Sequence, residues 1–244
     1  ILAPEERTAR VQKLLDRGFK ALKIRFHHAD PRDDIKVVEC VRKAVGDDLT
    51  IMVDANQGWN MPWDTETPWD FERAFQVAKA LEDLNVYWLE EPLPHHDFRG
   101  LARLREKTKV RIAGGEMNRR WHDFREMSTL GSLDVYQPDV VLCGGITGVT
   151  KIASRVQKRD AWFSPHTWGN GIGLLANLHL ACAVSKCPFL EFPFDPPAWT
   201  TERRDYMLRP EDRLMIDQEG YLHVPEKSGL GCELDEEALA RYAI

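Results

Sequence analysis

The sequence has few of the features that mark secreted, membrane or nucleic-acid-binding proteins. Its five cysteines are odd in number and scattered, and none forms a C-x-x-C pair, so neither a disulfide framework nor a zinc knuckle is indicated. No apolar run reaches the roughly 20 residues of a membrane span. The formal net charge of -6 gives no reason to expect nucleic acid or an anionic membrane as a partner. We therefore expect a cytoplasmic protein with reduced thiols that binds neither.

What the sequence does have is a regular alternation of helix-like and strand-like segments. Such alternation is typical of βαβ units and a parallel sheet. Seven strand-like runs begin near residues 21, 50, 86, 110, 134, 161 and 188. One further strand upstream would make eight, which closes a (β/α)8 barrel of about 250 residues. We predict an α/β fold of the TIM-barrel type whose first strand is missing from this chain.

The alternation of helices and strands also suggests how the chain is divided into domains. We assign residues 1–192 to the barrel domain, as its strands 2 to 8, and residues 193–244 to a C-terminal segment that closes the barrel. The chain starts at Ile1 and goes almost directly into a helix-like stretch, so we expect a further region upstream. The C-terminal segment 193–244 would pack toward that region. The loop 58–68 is rich in Trp and Pro, and we expect it to cover the barrel mouth.

Three carboxylates lie at the ends of three successive strand-like runs. They are Asp54, Glu90 and Glu116. One such acid alone is as often a salt-bridged strand end or a helix cap. Three unpaired carboxylates converging in an interior would be costly, and a hard divalent cation removes that cost. Barrel chemistry lies at these strand ends, and a set of oxygen ligands suits Mg²⁺. The pattern therefore predicts a metal site.

A histidine closes a later run. His166 lies just beyond the strand-like run at residues 161–164, and Asp139 follows the preceding strand-like run. Ends of neighbouring barrel strands are adjacent, so the two predict an Asp–His dyad. The carboxylate would orient the imidazole and raise its pKa, which makes a workable general base. The alternatives are a hydrogen-bonded core histidine and an Asp that serves only in a turn.

Four further side chains are candidates for substrate contact. Lys23 and Arg25 lie two apart, so they share one strand face and could bind an anion, although a solvated strand end is the alternative. Arg25 cannot be a base, because a guanidinium stays protonated in proteins. Asn56 follows Asp54 on the same strand face, so it could contact substrate. Glu191 ends the last run and could hydrogen-bond a developing enolate oxygen or serve a structural role.

These residues form an ordered set of seven motifs: Lys23-Ile24-Arg25, Asp54-Ala55-Asn56, Glu90-Glu91-Pro92, Gly115-Glu116, Pro138-Asp139, His166 and Glu191. The set resembles the enolase superfamily, most closely its mandelate racemase subgroup, over nearly the whole chain. The resemblance implies that the three carboxylates bind Mg²⁺, that Asp139 and His166 are the acid/base dyad, and that Glu191 hydrogen-bonds the enolate end of the substrate carboxylate. It also implies an N-terminal capping domain over the barrel mouth and a symmetric homo-oligomer.

One position departs from the subgroup. Its second strand usually carries Lys-x-Lys with the second Lys as a base, and here that position is Arg25. A two-base racemase needs a base on each face of the substrate. His166 alone can remove the α-proton to give a metal-stabilised enediolate and return the proton to a departing β-hydroxide. We therefore expect a dehydratase that converts an aldonate or aldarate to its 2-keto-3-deoxy product, with Lys23 and Arg25 holding substrate.

Other functions remain as alternatives. A racemase, epimerase or cycloisomerase of the same superfamily would use Lys23 or another group as its second base. A non-catalytic relative would bind a sugar acid without turning it over. Barrel aldolases and hydrolases are less favoured, because Schiff-base aldolases need a buried Lys and zinc hydrolases need several His ligands.

Overall fold

The structure is a computed structural model that describes residues 4–60 and 66–241. It contains a parallel sheet of six strands in chain order, each strand paired with the next. The strands are β1 Ala21–Arg25, β2 Thr50–Asp54, β3 Trp88–Glu90, β4 Arg111–Gly114, β5 Val135–Tyr136 and β6 Trp162–Phe163. The prediction for the loop 58–68 lies partly outside the described residues.

A helix precedes β1, and one follows each strand. The helices are α1 Pro4–Leu15, α2 Pro31–Val45, α3 Phe71–Glu82, α4 Phe98–Lys107, α5 Trp121–Leu130, α6 Gly145–Gln157 and α7 Gly171–Cys182. This order confirms the predicted α/β architecture of the TIM-barrel type. The carboxyl ends of all six strands therefore lie at the same end of the sheet.

Local sequence signals explain where the helices begin and end. Asp30, Asp70 and Asp97 precede α2, α3 and α4, and each carboxylate accepts a hydrogen bond from a backbone N–H in the first turn. Such caps satisfy donors that the helix leaves free. Gly46 ends α2 with φ of 63°, a conformation that glycine adopts without strain.

Side-chain alternation along the strands places the site. Met52 and Trp88 belong to a small buried cluster with Ala113 and Val135. Successive side chains on a strand point to opposite faces, so the residue two positions further along shares the same face. Asp54 follows Met52 in this way, and Glu90 follows Trp88. The two carboxylates thus continue the same faces as this apolar cluster, at the carboxyl ends of their strands.

The seventh predicted strand, 188–191, is wrong. These residues carry no strand in the structure, although the Phe163 N–H donates to the Lys186 carbonyl at 2.8 Å and the Ser164 hydroxyl donates to the Phe189 carbonyl at 2.7 Å. Pro188 lacks the N–H that a ladder needs. The run therefore lies beside β6 without extending the sheet.

The C-terminal segment packs against α7. It contains α8 Thr201–Arg204, a 3-10 helix at Pro210–Asp212 and α9 Glu236–Ala240. Its Leu208 and Leu214 form a second apolar cluster with three leucines of α7. In the part of the chain that the structure describes, no helix has both the length and the apolar character needed to cross a membrane.

Candidate active site

The three predicted metal ligands converge at the carboxyl end of the sheet. Asp54 and Glu90 end β2 and β3 and are paired in register, and Glu116 lies two residues beyond β4. One oxygen from each carboxylate lies within 4.8 Å of the others. Asp54 and Glu90 are 1% and 0% exposed. We call Asp54, Glu90 and Glu116 the carboxylate cluster.

Lys23 lies among the carboxylates. Its Nζ is 2.6 Å from Glu90 Oε1, 2.7 Å from Glu191 Oε1 and 3.7 Å from Asp54 Oδ2. Burial alone would lower the pKa of Lys23, but Glu191 and Glu90 outweigh it and raise this pKa well above its ordinary value. Burial would raise the pKa of Glu191, and Lys23 and His166 outweigh it, so this pKa is lowered. Lys23 is therefore held as a cation.

The residues present fit a divalent cation, because Lys23 does not neutralise the cluster. Burial and the Glu90 carboxylate raise the pKa of Asp54 to about 7, and burial raises the pKa of Glu116. The neighbouring Glu91 is buried, and its two carboxyl oxygens have no hydrogen-bond partner within the described residues. Burial and Glu116 raise its pKa to about 10. A divalent cation would favour the ionised forms of Asp54, Glu90 and Glu116 and would offset the cost of burying these carboxylates together.

The predicted dyad is present. His166 Nδ1 is 3.0 Å from Asp139 Oδ2. The other ring nitrogen, Nε2, lies 3.5 Å from Glu116 Oε2 and 3.9 Å from Glu191 Oε2, so it faces the carboxylates. Burial would lower the pKa of His166, but the Asp139 hydrogen bond and these two carboxylates outweigh it and raise the pKa to about 9. The arrangement provides a basic imidazole whose outer nitrogen points at the site.

Asn177 supports the dyad, and sequence reasoning missed it. Its side-chain amide donates to Asp139 Oδ1 at 3.1 Å, and its side-chain oxygen accepts from the Val140 N–H at 3.1 Å. It is fully buried on α7. The Val141 N–H also donates to Asp139 Oδ1 at 2.8 Å. A polar amide inside the apolar run 172–184 was the available signal.

Trp88 is a second residue that sequence reasoning missed. Its indole N–H donates to Glu90 Oε2 at 3.1 Å, and the side chain is buried. Since Lys23 binds the other oxygen of the same carboxylate, both oxygens of Glu90 are fixed. The signal was the two-residue spacing on β3, which puts Trp88 and Glu90 on one face.

Arg25 and Asn56 lie beside the carboxylate cluster. Arg25 Nε is 3.6 Å from Asp54 Oδ2, and its guanidinium carbon lies 4.3 Å from the centroid of the Trp168 ring. The Asn56 N–H donates to Asp54 Oδ1, and its side-chain amide donates weakly to the Asp54 carbonyl at 3.4 Å. The structure thus gathers the nine predicted residues at one end of the sheet: Lys23, Arg25, Asp54, Asn56, Glu90, Glu116, Asp139, His166 and Glu191.

A parallel α/β sheet with buried carboxylates and a histidine–aspartate pair at its strand ends defines a barrel-type domain with a candidate metal site. Comparison with known proteins identifies the family. The family model described as enolase C-terminal domain-like matches residues 6–238. The chain belongs to this family of the enolase superfamily, which confirms the resemblance found in the motifs.

Individual relatives differ in the reactions that their names give. Arabinonate dehydratase of Saccharolobus solfataricus is 30% identical over 225 residues, 92% of this chain and 56% of that protein. The 3,6-anhydro-D-galactonate cycloisomerase structure from Zobellia galactanivorans is 29% identical, with a TM-score of 0.85 over 98% of this chain and 63% of that one. The L-talarate dehydratase structure from Polaromonas sp. JS666, complexed with Mg and L-glucarate, is 28% identical, with a TM-score of 0.83 over 98% and 60%. This chain spans less than two thirds of each.

Proposed function

We propose that this chain is the barrel part of a Mg²⁺-dependent acid-sugar dehydratase, a hydro-lyase that acts on an aldonate or aldarate. The carrying observation is the His166–Asp139 dyad, whose outer imidazole nitrogen faces the carboxylate cluster, while an arginine occupies the position where a second base would be needed. Among the relatives, an arabinonate dehydratase and an L-talarate dehydratase support this reaction class.

Asp54, Glu90 and Glu116 would hold the cation. When bound, a divalent cation supplies positive charge that stabilises the negative charge developing on the substrate carboxylate and offsets the carboxylates that raise the pKa of His166. Lys23, fixed as a cation between Glu90 and Glu191, contributes a second positive charge at the same place. Glu191 would hydrogen-bond the enolate end of the substrate carboxylate.

His166 moves the proton. Its Nε2 takes the proton from the carbon next to the substrate carboxylate, and Asp139 stabilises the imidazolium through Nδ1. The bond between the β-carbon and its hydroxyl then breaks, and the departing oxygen takes the proton back from Nε2 and leaves as water. The remaining enol tautomerises to the 2-keto-3-deoxy acid. One base is sufficient, so Arg25 is free to hold substrate.

The domain arrangement belongs to the same proposal. Residues 1–192 would supply strands 2 to 8 of the barrel, with 188–191 lying beside β6 in place of a regular last strand. Residues 193–244 would close the barrel and contact an N-terminal capping domain. A homo-oligomer, a cytoplasmic location and the absence of nucleic-acid and membrane partners stay predictions.

The experiment is to incubate the purified protein with Mg²⁺ and a library of acid sugars and to assay 2-keto-3-deoxy products. We expect a product that disappears on chelation and falls at least about a hundredfold in His166→Asn. His179→Asn is the matched control, since the one hydrogen-bond partner of the His179 ring among the described residues is the Leu230 carbonyl, at 3.1 Å. Full activity in His166→Asn would refute the mechanism.

A cycloisomerase is the second candidate. The structural similarity to a 3,6-anhydro-D-galactonate cycloisomerase favours it. Such an enzyme would exchange the α-proton with solvent and would not release water from an acyclic acid. Deuterium incorporation in D₂O without loss of water would support this candidate against the dehydratase. Lys23 is a poor second base, because its carboxylate partners hold its pKa high.

A further inference from the structure

Arg25 and Lys23 share a strand face but have different surroundings. Lys23 lies within 4 Å of three carboxylates. Among the described residues, Arg25 has one ionic contact, with its Nε 3.6 Å from Asp54 Oδ2, and its side chain is 32% exposed. Within residues 4–60 and 66–241, its guanidinium donates no hydrogen bond of ordinary geometry. Its donors are therefore available to a ligand.

Two stacked indole rings, with an arginine at each end, hold this guanidinium in place. Its carbon lies 4.3 Å from the centroid of the Trp168 ring. Trp168 in turn stacks on Trp199, with ring centroids 5.7 Å apart and an angle of 18° between the planes. The guanidinium carbon of Arg203 lies 5.1 Å from the centroid of the Trp199 ring. We call Arg25, Trp168, Trp199 and Arg203 the Arg25 stack.

The far end of the stack is anchored to the backbone. Asp195 and Trp199 exchange two backbone hydrogen bonds of 2.8 Å, and an Nη of Arg203 donates to the Ala198 carbonyl at 2.8 Å. Trp199 therefore gives Trp168 a fixed surface to lie on. Through Trp168, residues of the C-terminal segment determine where the guanidinium of Arg25 lies.

A guanidinium stacked on an indole retains its N–H edge for hydrogen bonding. The planar group interacts with the ring through its face, and its donors project from the edge as a fork that matches a carboxylate or a pair of hydroxyls. A lysine ammonium has no such plane and cannot be oriented in this way. The stack is therefore suited to Arg25 as a substrate-binding group.

We propose that Trp168, backed by Trp199, is a positioning residue that presents the guanidinium of Arg25 to the hydroxyl or carboxylate groups of the substrate. This inference rests on the proposed function for its substrate class, a polyhydroxylated acid. Affinity for this acid depends on an aromatic ring at position 168, and this ring acts through Arg25. The C-terminal segment then contributes to substrate selection without touching the substrate.

The test is a double-mutant cycle of Arg25→Gln and Trp168→Leu, with KM and kcat measured on the acid sugar that gives product. We expect Trp168→Leu to raise KM about three- to tenfold, in line with one partly exposed cation–π contact, with kcat changed less than about twofold. Trp168→Phe should restore most of the affinity. The double variant should be no worse than Arg25→Gln alone, since residues that act as a unit are not additive.

Trp121→Leu is the matched control. Trp121 stacks on Lys151 at 4.4 Å between the outer helices α5 and α6, so this variant loses a similar contact away from the site and should leave KM unchanged. The proposal is overturned if Trp168→Leu lowers kcat at constant KM, if its effect adds in full to that of Arg25→Gln, or if Trp121→Leu raises KM equally.

A second readout does not depend on turnover. In the ¹⁵N NMR spectrum, the Nε–H signal of Arg25, assigned by its loss in Arg25→Gln, should shift and broaden in Trp168→Leu and persist in Trp168→Phe. If no acid sugar is converted, the proposed function fails, and this signal alone decides the positioning role. An unchanged signal in Trp168→Leu overturns it.

Discussion

The two halves of the candidate site are stabilised in different ways. In the carboxylate cluster, buried acids face one another, and burial together with the charge of Glu90 raises the pKa values of Asp54 and Glu116. In the dyad, Asp139 meets hydrogen-bond donors from His166, Asn177 and the Val141 backbone. The cluster is therefore complementary to an added cation, whereas the dyad is complete within the protein.

This difference explains what each half can do. Buried charges of one sign are retained where a ligand offsets their cost. A buried acid such as Asp139, surrounded by hydrogen-bond donors, instead holds its partner His166 in one orientation. A group that transfers protons needs such a fixed orientation. Breaking one half should leave the other intact, and the predictions below test that independence from the largest expected effect to the smallest.

The same substitution, Asp to Asn, should impair a different property in each half. Asp54→Asn removes one of the three proposed carboxylate ligands, so we expect Mg²⁺ affinity measured by calorimetry to fall at least about a hundredfold. Asp139→Asn removes the partner of the imidazolium, so we expect kcat to fall about 10²–10⁴-fold. Mg²⁺ affinity should stay within about threefold in Asp139→Asn. Equal loss of Mg²⁺ binding in both variants would contradict the independence of the two halves.

Asn177→Leu should weaken the dyad without removing it. The variant leaves the Val140 N–H without its acceptor and takes one donor from Asp139, so we expect kcat to fall about tenfold and stability to drop by about 1–3 kcal/mol. Ser132→Ala is the control, because Ser132 is a fully buried hydroxyl that donates to the Phe98 carbonyl at 2.8 Å, away from the dyad. It should lower stability and leave kcat unchanged. A similar loss of kcat in Asn177→Leu and Ser132→Ala would show that Asn177 acts only on stability.

The last prediction concerns Glu91 and the pH dependence of stability, with no effect on activity claimed. Its pKa is raised to about 10 by burial and Glu116, so the folded state keeps a proton that the unfolded chain loses above its ordinary pKa of 4.5. The stability that this proton provides is complete below the unfolded pKa and is lost as pH rises toward the folded pKa. In chelator, Glu91→Gln should flatten the fall of the unfolding free energy between about pH 5 and pH 9, by about 1 kcal/mol per pH unit. Parallel urea-denaturation profiles for wild type and variant would contradict the assignment.

Much of the fold was predictable because its signals are local. Asp caps and Gly ends mark the helices, and short apolar runs mark the strands. The end of each run also located Asp54 and Glu90, since parallel register then places them side by side. The last predicted strand failed because periodicity does not report whether a run, here one that opens with Pro188, finds a partner with matching N–H groups.

The sequence by itself determined the order of strands and helices and the residues at their carboxyl ends, because both follow from side-chain periodicity and backbone chemistry along a few neighbouring residues. Only the tertiary structure decided which distant groups support them. Asn177 reaches Asp139 from helix α7, and Trp199 reaches Trp168 from the C-terminal segment. Such contacts depend on how the helices and the C-terminal segment pack in space, and local sequence patterns carry no record of that packing.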